Sequence, residues 1–253
     1  MNLTAAISTY NRLEMLKKAI KSVECQTFKP CELIIVDDNS SDDTQKFCEN
    51  LTLDFPVIYL RNDNNKGAAF SRNRAIEAAN GEYIAFLDDD DEWLSEKLQK
   101  QNEFAQKGFD LIYTAVMTDR SDKVYFHDRF PVFFGNFAGI TSTMTLNLAT
   151  LRKIGGFDVA LPALEDYELV IRMVKNNAKI KGVKLPLVKY LPPSGKRVSG
   201  SSKNFFIAAK IILSKTSFFA KPLQFMGLAR IFVQCAVKSN NFRSGFFRKD
   251  VPK

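Results

Sequence analysis

The sequence predicts an α/β fold with a doubly wound, mostly parallel sheet, and three observations predict it. Short runs of β-branched and small apolar residues alternate with stretches of helical period. Each run is bounded by polar or turn-forming residues, as strands buried on both faces are. Three of the runs stop abruptly in polar clusters: Thr9-Tyr10-Asn11-Arg12, Asp37-Asp38 and Asp88 to Asp91. Alternation of strand and helix implies crossover units, and ligands of such sheets bind beyond the carboxyl ends of the strands. All three clusters fall at that edge.

The elements follow in order. Leu3 to Ser8 reads as a buried strand, and Glu14 to Val23 as a helix with Met15, Leu16, Ala19, Ile20 and Val23 on one face. Glu32 to Val36 is the next strand. Its polar loop leads to a helix through Cys48 that Asp42 or Asp43 can cap. Val57 to Leu60 is a strand, Ala68 to Ala79 a helix closed by Asn80-Gly81, and Tyr83 to Leu87 a strand that enters the four aspartates. Beyond these, Phe109 to Met117, Lys123 to Phe126 and Thr141 to Leu146 read as strands, with a loop at Gly135 to Gly139. A short helix ends at Ile154 before a Gly155-Gly156 turn, and a helix over Leu164 to Asn176 carries Glu165 and Asp166 in its first turn. Pro192-Pro193-Ser194-Gly195 breaks regular structure. The expected organisation is one α/β domain over 1–198, with a first half of about 1–92 and a second of about 93–198, then a tail over 199–253.

Composition narrows the function classes. With 253 residues, 45% hydrophobic and 25% charged, the chain can bury a sizeable core. The four cysteines form no CxxC pair, which speaks against a zinc site and fits reduced thiols. No GxxxxGK[ST] is present and no GxGxxG follows the first strand, which removes ordinary kinases and dinucleotide oxidoreductases. His127 is the only histidine and has no evident nucleophile partner. The amino-terminal residues lack a signal-peptide pattern, and no apolar stretch reaches the ~18 residues of a membrane span. A cytoplasmic location is therefore expected.

Each acidic cluster has a plain reading and a chemical one. Four consecutive aspartates repel one another unless a cation compensates them. A hard cation, Mg²⁺ or Mn²⁺, suits carboxylates and takes one or two from protein and the rest from phosphate and water. The plain alternative is a solvated acidic turn with Asp91 capping a helix begun by Trp93. Asp37-Asp38 suits a turn for local reasons, or accepts hydrogen bonds from a base or ribose. Glu165-Asp166 either complements the helix dipole or supplies a base, and spacing alone does not decide.

Taken together these stretches resemble a family, the inverting GT-A glycosyltransferases of family 2. The matching segments are Ile7 to Arg12, Glu32 to Thr44, Asn65 to Asp91 and Gly155 to Met173, in the family's order over the first 175 residues or so. The resemblance implies a nucleotide-diphosphate sugar donor, with Thr9 and Tyr10 lining the nucleobase pocket and Arg12 nearby. Asp38 would hold the base with Asp37 supporting its loop, and Lys66 would approach the nucleotide. Asp88 would face the ribose or sugar and share the metal with Asp90, the principal ligand. Asp89 stands where relatives often carry a small residue, so it either adds a nucleotide contact or points away. Asp166, beside Glu165, matches the catalytic base, which would deprotonate an acceptor hydroxyl in a single displacement. Family habit points to UDP.

The tail needs its own account. Residues 203–253 hold seven Lys and three Arg against Asp250, a balance of +9, which leaves −1 of the total +8 for residues 1–202. Phe205-Phe206, Ile211-Ile212-Leu213, Phe218-Phe219, Phe225-Met226, Ile231-Phe232-Val233 and Phe246-Phe247 are interleaved with those cations. Such a composition suits a helical extension lying on an inner-membrane surface, or a helical cover over the acceptor cleft with snorkelling lysines. The acidic body does not suit a nucleic-acid groove. The function expected is sugar transfer to a lipid-linked, lipopolysaccharide or capsule glycan. An inactive nucleotide-sugar-binding protein and a nucleotidyltransferase are the alternatives.

Overall fold

The computed structural model describes residues 1–118, 121–125, 140–190 and 202–215, together with 225, 226, 228, 229 and 231. Phe126, His127, the Gly135 to Gly139 loop, Pro192 to Gly195 and most of the basic tail lie outside the described residues.

The elements run β1 (Leu3–Thr9), α1 (Leu13–Glu24), β2 (Glu32–Asp37), α2 (Thr44–Glu49), β3 (Val57–Arg61), α3 (Ala68–Ala78), β4 (Tyr83–Asp88), β5 (Asp91–Trp93) and α4 (Lys97–Ala105). Then follow β6 (Leu111–Thr118), β7 (Ser121–Tyr125), a 3-10 turn (Thr141–Thr143), β8 (Met144–Asn147), α5 (Leu148–Lys153), α6 (Glu165–Lys175), β9 (Ile180–Tyr190) and α7 (Ser202–Ser214). They form one sheet in the order β3-β2-β1-β4-β8-β6-β9-β5, with β7 on β6. β1 to β4 are mutually parallel and β6 is parallel to β9, whereas β8 is antiparallel to β4 and β6, and β5 to β9.

The apolar runs divide between two cores by the two-residue period of a strand. Ala6, Ile34, Val36, Ile84 and Phe86 face one cluster, which α3, α5, α6 and α7 complete. Ala5, Ile7, Leu33, Ile35, Ala85 and Leu87 face the other, against α1 and α4. Burial on both faces explains why these strands show no alternation in the sequence.

Several local expectations are corrected. Asp91 does not cap a helix at Trp93, because Asp91–Trp93 is a strand paired with Val188 to Tyr190. Thr141 to Thr143 forms a 3-10 turn and only Met144–Asn147 pairs with β4. Gly81 is no left-handed cap: a Cβ there would lie 2.7 Å from Thr4 Oγ1 and 2.9 Å from the Asn2 carbonyl, so close approach of β1 requires glycine. Of the two capping candidates for α2, Asp43 occupies the cap without a side-chain bond, and Asp42 Oδ1 accepts from Thr44 N at 3.2 Å.

Candidate active site

The carboxyl ends of β1, β2 and β4 are stitched into one acidic edge. Asn11 N donates to Ser40 Oγ at 2.8 Å and Asn11 Oδ1 accepts from Ser41 N at 2.6 Å, joining the first two loops. Asn11 and Asn39 take left-handed backbone conformations, φ 53° and 70°, which asparagine tolerates. Asp37, fully buried, accepts from Ser40 N, Tyr59 Oη and Arg61. It therefore braces the loop that follows it.

Asp38 is the fixed point of the loop that follows β3. It is buried, and Oδ1 accepts from Asn62 Nδ2 at 2.7 Å and Lys66 N at 2.8 Å, while Oδ2 accepts from Gly67 N at 2.7 Å. One carboxylate thus shapes the 62–67 loop ahead of α3, where Gly67 has φ +86°. Lys66 joins this group through its backbone, and its ammonium lies 4.5 Å from the Phe70 ring centroid. Tyr10 is exposed beside the same edge.

Two arginines supply the cations that the aspartate run needs. Arg12 reaches Asp89 Oδ1 at 3.0 Å and Asp90 Oδ2 at 3.2 Å. Asp89, buried, also accepts from Thr9 Oγ1 at 2.8 Å, so it points into the end of β1. Burial pushes its carboxyl up to about 6, against the pull of Arg12 and Thr9. Ser142 holds the same turn from the other side: it accepts from Asp88 N and donates to Asp91 at 2.6 Å.

Arg72 joins the two acidic clusters that sequence spacing left apart. Its guanidinium, 7% exposed, lies 2.6 Å from Asp88 Oδ1 and 2.7 Å from Glu165 Oε1. Its pKa is raised: the two carboxylates outweigh the opposing effect of burial, the largest single influence. Asn73, the next residue, clips α3 to the Gly155-Gly156 turn through both backbone groups of Phe157. Asp166 adjoins Glu165 at the start of α6 and accepts from Tyr167 N at 2.6 Å. Burial first, and the Glu165 charge second, raise its carboxyl well above the usual range. Leu164, just before the pair, has φ 63°. A leucine held there costs about 1 kcal/mol or more, so the chain is strained where it aims these two acids.

The structure thus gathers Thr9, Arg12, Asp89 and Asp90 in one network, Asp38 with Lys66 in a second, and Asp88 with Glu165 in a third. Sequence reading missed Arg72, Asn62, Asn73 and Ser142. Arg72 alone left a signal: it falls on the buried stripe of α3 with Ala69, Ala75 and Ile76, and a cation there needs acidic partners.

A divalent cation fits this edge only in company with a substrate. Among the described residues no group of three or more His, Cys, Asp or Glu could hold an ion. Asp88 and Asp90 are partly exposed, 29% and 24% at the side chain, at the open edge of the sheet. Two carboxylates are what a phosphate-bridged Mg²⁺ or Mn²⁺ asks of a protein.

Comparison with known proteins agrees with this architecture. Residues 4–156 match the family model described as Glycosyl transferase family 2, and the chain belongs to that family. An uncharacterized glycosyltransferase of Methanocaldococcus jannaschii is 30% identical over 76% of this chain and 71% of its own. The GalNAc(5)-diNAcBac-PP-undecaprenol beta-1,3-glucosyltransferase of Campylobacter jejuni is 44% identical over 42% of this chain, an alignment spanning 35% of that enzyme. Among solved structures, S. aureus TarS 1-349 in complex with UDP-GlcNAc superposes with TM-score 0.76 at 18% identity, covering 96% of this chain and 77% of that one. The shared fold is the GT-A fold. The aligned region is about a third of the Campylobacter enzyme's length.

Proposed function

We propose that this chain is an inverting glycosyltransferase that moves a sugar from a nucleoside-diphosphate donor, a UDP-sugar, to a hydroxyl of a lipid-linked surface glycan. The observation that carries this reading is the Arg72 bridge. It sets the acid nearest the sheet edge, Asp88, and the acid beside Asp166 on one guanidinium. Donor and acceptor chemistry then share one cleft, with residues 1–92 on the donor side and 93–198 on the acceptor side.

In this reading the residues take the roles that the family resemblance implies. Thr9, Tyr10 and Asp38 form the nucleobase end, and Lys66 and Arg12 supply positive charge along the nucleotide. Asp89 holds Arg12 in place, while Asp88 faces the sugar. Asp90, with Asp88, would hold Mn²⁺ or Mg²⁺, which when bound neutralises charge on the departing diphosphate. Asp166 takes the proton from the acceptor hydroxyl as its oxygen bonds to the anomeric carbon and the bond to the diphosphate breaks. A carboxyl with a raised proton affinity is the better base near neutral pH. Glu165, held by Arg72, keeps α6 facing the donor.

The relatives support the acceptor class. Besides the Campylobacter enzyme, an Escherichia coli protein named UDP-Glc:alpha-D-GlcNAc-diphosphoundecaprenol beta-1,3-glucosyltransferase WfaP is 40% identical over 40% of this chain. A Pyrobaculum calidifontis mannosyltransferase of similar fold, TM-score 0.65, is in complex with GDP-Man and Mn2+. On this acceptor class we read the chain as working at the cytoplasmic face of a membrane, with the basic tail as its contact. No helix among the described residues is long and apolar enough to cross one. The test is transfer itself: the purified chain, a UDP-sugar, Mn²⁺ and a polyprenyl-diphosphate-linked sugar give a β-configured product from an α-configured donor. An α-linked product would contradict inversion. Pyrophosphate release would point to a nucleotidyltransferase.

A further inference from the structure

The first helix of the tail has two different faces. Phe205, Ala208, Ala209 and Ile212 recur at helical spacing and are buried in the core cluster that also holds Leu161, Ala163, Tyr167 and Val170. Lys215, at its end, pairs with Asp158. The inner face of α7 is therefore part of that core, and Lys215 ties its end to Asp158 in the segment before Glu165. The outer face carries Lys203, Phe206, Ile207 and Lys210, all exposed, with Phe206 59% and Ile207 41% accessible. The pattern repeats farther on, where Leu228 and Ile231 are buried and Phe225 and Met226 are 63% and 58% exposed. Large aromatic and aliphatic side chains left in water beside lysines are what an interfacial surface shows.

We propose that the outer face of α7, with Phe225 and Met226, docks on an anionic lipid surface, while its inner face stays in the core. This rests on the membrane-facing reading above and adds which residues meet lipid. It replaces a choice between covering the cleft and binding membrane with a division by helix face. The occupant follows from charge: the tail's +9 balance suits anionic head groups, which attract basic residues near their surface. Four exposed apolar side chains add the insertion term. Because Lys215 ties the end of α7 to Asp158, in the segment leading to Asp166, docking would bring the acceptor end of the cleft to a lipid-borne glycan.

The experiment is vesicle co-sedimentation of the full chain with phosphatidylcholine vesicles and with vesicles containing phosphatidylglycerol. Wild type should bind the anionic vesicles at least tenfold better, and high salt should weaken that binding. Phe206→Ser with Ile207→Ser, and separately Lys203→Glu with Lys210→Glu, should each cut it several-fold while the melting temperature and UDP-induced stabilisation stay unchanged. By contrast, Ala208→Asp should lower the melting temperature, as an inner-face residue would. Failure of wild type to bind anionic vesicles, or binding indifferent to both outer-face pairs, overturns the proposal. A chain that binds vesicles but shows no donor stabilisation would sink the transferase reading and leave this one standing.

Discussion

Asp88 and Glu165 are held by one buried guanidinium, that of Arg72, at 2.6 and 2.7 Å. The first closes the strand that opens the aspartate run, and the second opens the helix that carries Asp166. A buried arginine between two carboxylates fixes distance as well as charge, because its donors are rigidly spaced.

Arg72→Lys should therefore be more damaging than its charge suggests. Lysine offers one compact ammonium in place of a planar fork, so one of the two acids loses its partner. We predict a drop of about tenfold to a hundredfold in kcat/KM with UDP affinity little changed. Arg72→Ala should also destabilise by about 1–3 kcal/mol, since it leaves two partly buried carboxylates without their partner. Urea melts and steady-state kinetics on both variants check this.

Asp166 and Glu165 separate by pH. A base acts only when unprotonated, and the raised proton affinity of Asp166 places the rising limb of activity above the ordinary carboxylate value of about 3.9. Glu165→Gln removes the neighbouring negative charge, so that limb should shift to lower pH. Asp166→Asn should lose about a hundredfold or more in kcat while UDP still stabilises the fold. A limb that Glu165→Gln leaves in place would remove Glu165 from this role.

Lys97 carries a stability prediction of its own. It is fully buried, bonds Gln101 Oε1 at 2.7 Å and lies 3.8 Å from the Trp93 ring centroid. Burial drives its pKa well below the usual lysine value. Below that lowered value both folded and unfolded chains carry the proton, and the folded state bears the full cost of the buried charge. As pH rises toward about 10.4, where the unfolded lysine also loses its proton, that cost disappears. Lys97→Met should thus stabilise by on the order of 1 kcal/mol at neutral pH, and the gain should shrink toward pH 10. Urea midpoints at pH 7 and pH 9.5 measure it.

Gly81→Ala tests the close approach of the β4 entrance to β1. The added methyl meets backbone atoms of Asn2 and Thr4 at 2.9 Å, which do not move aside cheaply. A loss of about 1–3 kcal/mol is expected, read by thermal melts. An unchanged melting temperature would show that the strand shifts freely.

What the sequence carried was the edge of the sheet. Runs such as Ile34-Ile35-Val36 announce strands because burial on both faces leaves only apolar residues, and the aspartates that end them mark the open side. The strand at Asp91–Trp93 was hidden because its pairing partner, Val188 to Tyr190, lies far along the chain, and three residues carry no period. Arg72 showed only as a cation on the buried stripe of a helix. Its meaning lies in Glu165, and only the packing of α6 against α3 brings the two together. Asp89, which the sequence leaves between a nucleotide contact and an outward turn, is enclosed by Thr9 and Arg12.

The most direct test of the central claim is a donor screen with the purified chain, Mn²⁺ or Mg²⁺ and a panel of nucleotide sugars, reading nucleoside diphosphate release. We predict release from one UDP-sugar, abolished by EDTA and by Asp90→Asn, and increased by a polyprenyl-diphosphate-linked sugar. Release that persists undiminished in folded Asp90→Asn and Asp166→Asn variants, or no stabilisation of the fold by UDP with Mn²⁺, would contradict it.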